Sequence, residues 1–442
     1  MNQLQEYLEA HDLNEIHPSD IAKLLKQLDD SDFSDALKLV PKNLLGDVAL
    51  ALPDRYFDDV VDNLSVDELS HAVTELESDD QVDFMQELEE HDEEMASEVF
   101  EKLDAEDKEE IEKLQTYEED EAGSYMQLEV FTAKKDEIVH DVIKRFAKLR
   151  RDNELENVQN LFVTNMENKL RYTIGLDDLL IFDFSKTLRE NLENSADSFE
   201  PKKAHDREDI KDVVHYFEEY DLSVMPIVNT YGVLVGRITS DDIYDIINEH
   251  ATEQMYNLAG VDDDAEEDDA VLKAGQKRAS WLSLNLITAI FASLVIGLFS
   301  DTIDSMVALA VLMPIVASMG GNAGTQSLTV VVRQLALGDI SQGDAVRIIK
   351  KEVIISLMNG VLFAIIMGLV AAVWFNINML GVVIALSMVI NLLMAGFFGA
   401  AIPLFLKKMD VDPAIGSTVI LTTVTDVVGF FSFLALATYI LL

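Results

Sequence analysis

Four charge-poor stretches near the C-terminal end constrain this 442-residue chain more than anything else in it: residues 281–300, 305–332, 353–406 and 413–442. An α-helix rises about 1.5 Å per residue, so about 20 apolar residues cross the roughly 30 Å of hydrocarbon in a bilayer. The 54 residues of 353–406 exceed one crossing and are interrupted by the polar "FNIN" at 375–378, so they count as two. Five membrane spans are expected, at about 281–300, 305–332, 353–375, 379–406 and 413–442. Basic residues cluster before the first span (Lys273, Lys277, Arg278), between the second and third (Arg333, Arg347, Lys350, Lys351) and between the fourth and fifth (Lys407, Lys408). All three clusters fall on one face of the membrane, and the opposite loops carry only Asp301 and Asp304. The excess of Lys and Arg on cytoplasmic loops puts the N-terminus in the cytoplasm and the C-terminus outside, with the plasma (inner) membrane as the location. The start, "MNQLQEYLEAHDL", lacks a basic region leading into an apolar one, so no cleaved signal peptide is expected.

Two features disturb these apolar spans. Residues 314–327, "PIVASMGGNAGTQS", place Pro314, Gly320, Gly321, Asn322, Gly324 and Gln326 at membrane depth. Non-helical backbone survives in hydrocarbon only where it is buried in protein or faces water. This pattern therefore predicts a helix break lining a cavity with carbonyl oxygens and the Asn322 amide. The glycines also fit close helix packing, which leaves Asn322 and Gln326 unexplained. Asp426 is the only charged residue after Asp412. A carboxylate at mid-span costs about 2.5–3.5 kcal/mol on insertion scales, so it should face an aqueous path or a cation. The alternative is a protonated acid hydrogen-bonded within the bundle. Five spans are few for enclosing a pore, and a twofold pair would bring two copies of Asp426 together.

The front of the chain has a different chemistry. From residue 271 onward there are 9 Lys+Arg and 8 Asp+Glu, against 33 and 81 in the whole chain, so residues 1–270 carry 24 basic and 73 acidic side chains. Such a polyanion repels nucleic acid and attracts cations, although a merely solvated acidic surface has the same composition. With no Cys there are no disulfides or thiolate metal sites, and the abundant ligands are oxygens suited to hard cations. No phosphate-binding loop, nucleophile elbow or metal-hydrolase spacing is present, so no enzyme is expected.

Leu28, Val40, Leu52, Leu64, Leu76, Leu88 and Phe100 recur every twelve residues. That period predicts short helices stacked as a small superhelix. A hinge-like stretch, "TYEEDEAGSYM" (116–126), leads into two copies of a strand–turn–strand–helix pattern at 157–180 and 223–247, the second with a clear turn at Tyr231 and Gly232. Asp242, Asp245, Glu249 and Glu253 then follow at helical spacing, a carboxylate stripe that repels itself unless a cation or basic partner lies against it.

Pro226, Ile227, Val228, Gly232, Leu234, Gly236, Thr239 and Asp242 resemble the second half of a CBS domain, and the earlier copy resembles a weaker one. The resemblance implies adenosine-nucleotide binding through Thr239 and Asp242, with ATP as the candidate ligand. The earlier copy has Gly175 where the threonine would stand. Taken whole, the chain resembles the MgtE family of magnesium channels, on Pro314 with "GGNAGTQS" (320–327), "TTVTDVVGF" (422–430) and "HATEQMYNLAG" (250–260). That resemblance implies a multidomain membrane protein: an α-helical superhelical N domain (1–115), α+β tandem CBS domains (116–183 and 184–248), a connecting or plug helix (249–274) and an all-α five-span transmembrane domain (275–442), assembled as a homodimer in the lipid bilayer. It implies Mg²⁺ as both cargo and gating ligand. Asp426 would be the pore ligand, and Gly320, Gly321, Gly324, Asn322 and Pro314 would shape the selectivity region. Asp242, Asp245, Glu249, Glu253 and Asp412, with Asp79 and Asp83 from the helical domain, would bind the gating ions. Gln254 and His250 stand where the family often has acids, which weakens or displaces part of that site. Two rivals remain at this stage: transport of Co²⁺, Ni²⁺ or Mn²⁺, and a membrane-anchored CBS sensor without flux.

Overall fold

The computed structural model describes all residues except 1, 12–15, 54, 55, 153, 154, 156, 262–270, 338, 339, 341 and 410. The middle of the expected plug segment, 262–270, therefore lies outside the described residues. The chain divides into two compact units, residues 1–248 and 249–442.

The first unit begins with helices α1 (Asn2–Ala10), α2 (Pro18–Leu25), α3 (Asp30–Leu37), α4 (Leu45–Leu50), α5 (Phe57–Asn63), α6 (Val66–Thr74), α7 (Ser78–His91), α8 (Glu93–Lys102) and α9 (Ala105–Leu114). The twelve-residue period is borne out as a packing rule. Val40, Leu52, Leu76 and Leu88 are buried, and Leu28, Leu64 and Phe100 pack half-buried against the same core. Local polar groups start the helices: Ser65 and Glu68 form a reciprocal capping box on α6, and Asp92 and Asp104 accept from the first backbone amides of α8 and α9.

Two three-stranded sheets follow, built alike. The first contains β1 (Thr132–Lys134), β2 (Asn160–Thr164) and β3 (Leu170–Gly175); the second contains β4 (Ala204–His205), β5 (Val224–Val228) and β6 (Leu234–Thr239). In each the first pairing is parallel, the second antiparallel, and a register shift falls at the matching place, Val163/Thr164 and Ile227/Val228. The flanking helices are α10 (Val139–Leu149), α11 (Leu176–Ile181), α12 (Leu188–Asn194) and α13 (Ile210–Tyr220). The hairpin turns are made by Asn165 and Asn229, whose side chains accept from backbone amides two and four residues on, with Asn168 and Gly232 at positive φ. The expected hinge at 116–126 is instead pinned: the amides of Ala122 and Gly123 donate to the carbonyls of Glu208 and Asp206, and Gln127 exchanges two backbone bonds with Arg237 of β6. The helical array and the second sheet consequently share one hydrophobic core, which runs to Ile227, Ile238 and Ile246.

Helix α14 (Ser240–Ala259) carries the carboxylate stripe. The second unit then holds α15 (Val271–Gly297), α16 (Ser300–Ser305), α17 (Val307–Ala336), α18 (Ala345–Phe375), α19 (Asn378–Lys408) and α20 (Ser417–Leu441). Five of these are long and apolar enough to cross a membrane: the Arg278–Gly297 part of α15, α17, α18, α19 and α20. The polar "FNIN" is the α18–α19 turn, with Asn376 at φ 53° ending α18. Small residues let those two helices touch. A Cβ on Gly381 would come 2.5 Å from the Gly368 carbonyl oxygen, and one on Gly396 would strike the Ser356 hydroxyl.

The expected break at Gly320–Gly324 is absent, because α17 is one continuous helix containing Pro314 and the whole motif. Its glycines relieve packing rather than bend backbone. Gly320 and Gly324 are buried, and a Cβ on Gly324 would lie 3.0–3.2 Å from Leu421 of α20.

Candidate functional site

A continuous α17 changes what its polar residues can do. No backbone carbonyls of the motif are freed from the helix, so its polar side chains are the groups available to a ligand. Ser318, Asn322 and Thr325 lie at helical spacing and are exposed in the single chain, and the Asn322 amide reaches the Ser318 hydroxyl at 3.5 Å. Gly321, beside Asn322, borders open space, and Pro314 lies exposed a turn before Ser318. On α20, Thr422 is exposed and Asp426 half-buried one turn later. The threonines satisfy their hydroxyls internally: Thr422 donates to the Thr418 carbonyl at 2.8 Å, and Thr425 to Leu421 at 3.1 Å. Among the described residues nothing hydrogen-bonds the Asp426 carboxylate. The reading of Asp426 as an acid satisfied within its own bundle therefore finds no partner to support it.

Asn391 of α19 sits behind the α17 stripe, fully buried, and its amide donates to the Val316 carbonyl at 2.8 Å. It is the only amide between Asn378 and Lys407. That isolation was a signal the sequence reading did not use.

A second polar assembly lies within residues 1–248, where the first turn of α7 meets the first turn of α14. Asp79 is 7% exposed, and among the described residues its Oδ1 has no hydrogen-bond partner. Burial, then the charges of Asp80, Asp242 and Glu77, hold its carboxyl well above the usual range. Asp80 is pushed up to about 8 by burial and by Asp83, Glu77, Asp242 and Asp47. Asp242 is raised too, chiefly by burial, against the opposing bonds it accepts from the Thr239 hydroxyl (2.7 Å) and amide (3.2 Å). Arg237, 2% exposed, brings one buried cation to the edge of this group, 3.6 Å from Glu77. The structure thus brings together the expected Asp79, Asp83, Asp242 and Asp245, the last adding its charge to Asp242, and adds Asp80, Glu77 and Asp47. The run "ELESDDQVD" (75–83) was the overlooked signal. Among the described residues no three acids or imidazoles converge as a ready-made metal-ligand set.

Two of the other expected gating residues have local partners, and the third is exposed. Glu253 faces His250 and Asn257, each at 3.4 Å; Asp412 accepts from the Ala414 amide at 2.7 Å; Glu249 is exposed on α14. Thr239, expected at a nucleotide, is buried with its hydroxyl committed to Asp242.

Comparison with known proteins decides the family. A magnesium transporter MgtE of Thermus thermophilus is 30% identical over 337 residues, covering 75% of this chain and 72% of that protein. The chain belongs to the MgtE family. A Bacillus subtilis MgtE magnesium transporter is 30% identical over 334 residues, covering 74% of this chain and 71% of its own length. Family models of the MgtE divalent cation transporter, the MgtE intracellular N domain and the CBS domain match residues 313–436, 16–120 and 198–249. A crystal structure of the cytosolic domain of the Mg²⁺ channel MgtE in complex with ATP is 29% identical with a TM-score of 0.48, covering 55% of this chain and 98% of that one. The MgtE helical N domain, the CBS sheets and the five apolar helices are thus all present in one multi-pass membrane protein.

Proposed function

We propose that this chain carries Mg²⁺ across the plasma membrane through a pore built by two copies, with the N-terminus cytoplasmic and the C-terminus outside. One observation carries the reading: Asp426 stands half-buried, without a hydrogen-bond partner among the described residues, in a span otherwise free of charge. The exposed amide and hydroxyls of α17 accompany it. Polar stripes at hydrocarbon depth must face protein or water, and a second copy across a twofold axis supplies both. Mg²⁺ gives up its waters reluctantly and is commonly held by one or two carboxylates with several waters kept. Paired Asp426 carboxylates would grip such a hydrated ion, and Asn322, Ser318 and Thr325 would accept from its waters.

Gating rests on the acid cluster. Asp79, Asp80, Asp83, Asp242 and Asp245 present only oxygen donors, one of them buried and unpartnered, which suits a hard divalent cation. Without cation they repel; with it the compact arrangement is favoured, and the population shifts by the difference in affinity. Glu249, Glu253 and Asp412 would contribute further ions. ATP at the second CBS module would have to draw Thr239 away from Asp242, linking nucleotide to the same cluster.

Mg²⁺ uptake into proteoliposomes holding the intact chain tests the reading, with Co²⁺, Ni²⁺ and Mn²⁺ run in parallel. Asp426→Ala should abolish uptake. Equal uptake in that variant, or none in the intact chain, would leave the sensor without flux as the better account.

A further inference from the structure

Asn391 lies fully buried in α19, where a polar side chain costs desolvation unless it is hydrogen-bonded. Its amide nitrogen donates to the Val316 carbonyl of α17, while its Oδ1 is buried and, among the described residues, has no hydrogen-bond partner. The side chain is wedged between two other helices. A Cβ on Gly320 of α17 would come 2.3 Å from its Nδ2, and one on Gly429 of α20 would come 2.9 Å from the same atom. Gly320 precedes Asn322 by two residues, and Gly429 follows Asp426 by three. One amide therefore indexes the two helices at the level of their polar stripes, and both glycines leave room for it.

We infer that Asn391 is a positioning residue for conduction. By locking α17 and α20 against one planar group it fixes the height of Asn322 relative to Asp426, and hence how tightly and how selectively the hydrated ion is held. It does not touch the ion. Leu421 of α20 already seats at Gly324 of α17; the Asn391 amide adds a directed bond to one α17 carbonyl and a close fit at Gly429 of α20, so both helices are referred to the same group.

This inference rests on the pore reading above, and the experiment separates the two. Mg²⁺ flux into proteoliposomes is measured against Mg²⁺ concentration, with Ca²⁺ as competitor, for the intact chain, Asp426→Asn, Asn391→Leu and the double variant Gly320→Ala/Asn391→Ala. Folded yield and thermal stability in detergent are followed alongside. Unchanged flux in Asp426→Asn would overturn the pore reading itself. For Asn391→Leu, the expected result is folded protein whose half-saturating Mg²⁺ concentration rises about tenfold and whose discrimination against Ca²⁺ falls by a similar factor. The double variant, in which the new methyl group takes the space vacated by the amide, should recover folded yield and still show both shifts. Wild-type half-saturation and discrimination in either folded variant overturn the inference, as does a set in which flux falls only in step with folded yield.

Discussion

The hydroxyl of Thr418 donates to the main-chain carbonyl of Leu258 at 2.9 Å, tying the last turn of α14 to the first turn of α20. The Leu258 side chain packs in one cluster with Leu328, Ile402 and Leu421 of the membrane helices and Ala414 of the α19–α20 connection. A carbonyl at a helix C-terminus has no partner within its own helix, so this bond satisfies it and couples α14 to the helix that carries Asp426. Losing one such bond is worth about 1 kcal/mol, or roughly fivefold in a coupling constant. Thr418→Val should raise the Mg²⁺ concentration needed for closure about fivefold and leave flux at low cytoplasmic Mg²⁺ unchanged. Flux recorded against cytoplasmic Mg²⁺ checks this, and an unshifted closing curve would refute it.

The raised carboxyls of the acid cluster make a pH prediction whose sign is fixed. Asp80 holds its proton up to about 8 in the folded chain, against about 3.9 in an unfolded one. The folded state then binds more protons than the unfolded state through that interval, so stability is greatest below it and falls as pH rises from about 4 to 8. Asp80→Asn removes the ionisation. In metal-free buffer it should raise the melting temperature by about 3 °C at pH 8 and not at pH 4, and it should shrink the further rise that Mg²⁺ produces at pH 8. Differential scanning fluorimetry of the detergent-solubilised chain reads both.

Arg237, 2% exposed, is a counter-charge 3.6 Å from Glu77, which is 21% exposed. Removing the cation from such a part-buried pair costs about 1.5–3 kcal/mol. Arg237→Met should destabilise the first unit by about 2 kcal/mol, and adding Glu77→Gln should restore part of it. Denaturant unfolding of the single and double variants, run as a cycle, measures the coupling; simple additivity would count against the pair.

A continuous α17 distinguishes neighbouring glycines. Gly324→Val would drive a side chain into Leu421 and should cut folded yield severely, whereas Gly321→Ala meets open space and should fold at the level of the intact chain. Loss of fold in Gly321→Ala would instead indicate the non-helical segment that the motif suggested.

Much of the architecture was legible because it depends on composition along the chain. Twenty or more apolar residues without charge can only be stable in lipid or a large core, so the five spans and their "FNIN" turn follow from hydropathy alone. The twelve-residue period picked out side chains that face one core, three of its leucines buried and two half-buried, and the paired strand–turn–strand patterns predicted two like modules. Asp426 stood out because a charge in such a span must be explained. Sequence could not decide whether "GGNAGTQS" breaks its helix, since glycine permits both a bend and a close approach. The side chains opposite, Asn391 and Leu421, decide for packing, and they lie about 70 and 100 residues away in the chain. In the same way the acids Glu77, Asp80 and Asp47 become one cluster with Asp242 only when folding removes the water between them. Charge is read from the chain, but proximity and burial, which set what that charge costs, belong to the tertiary structure.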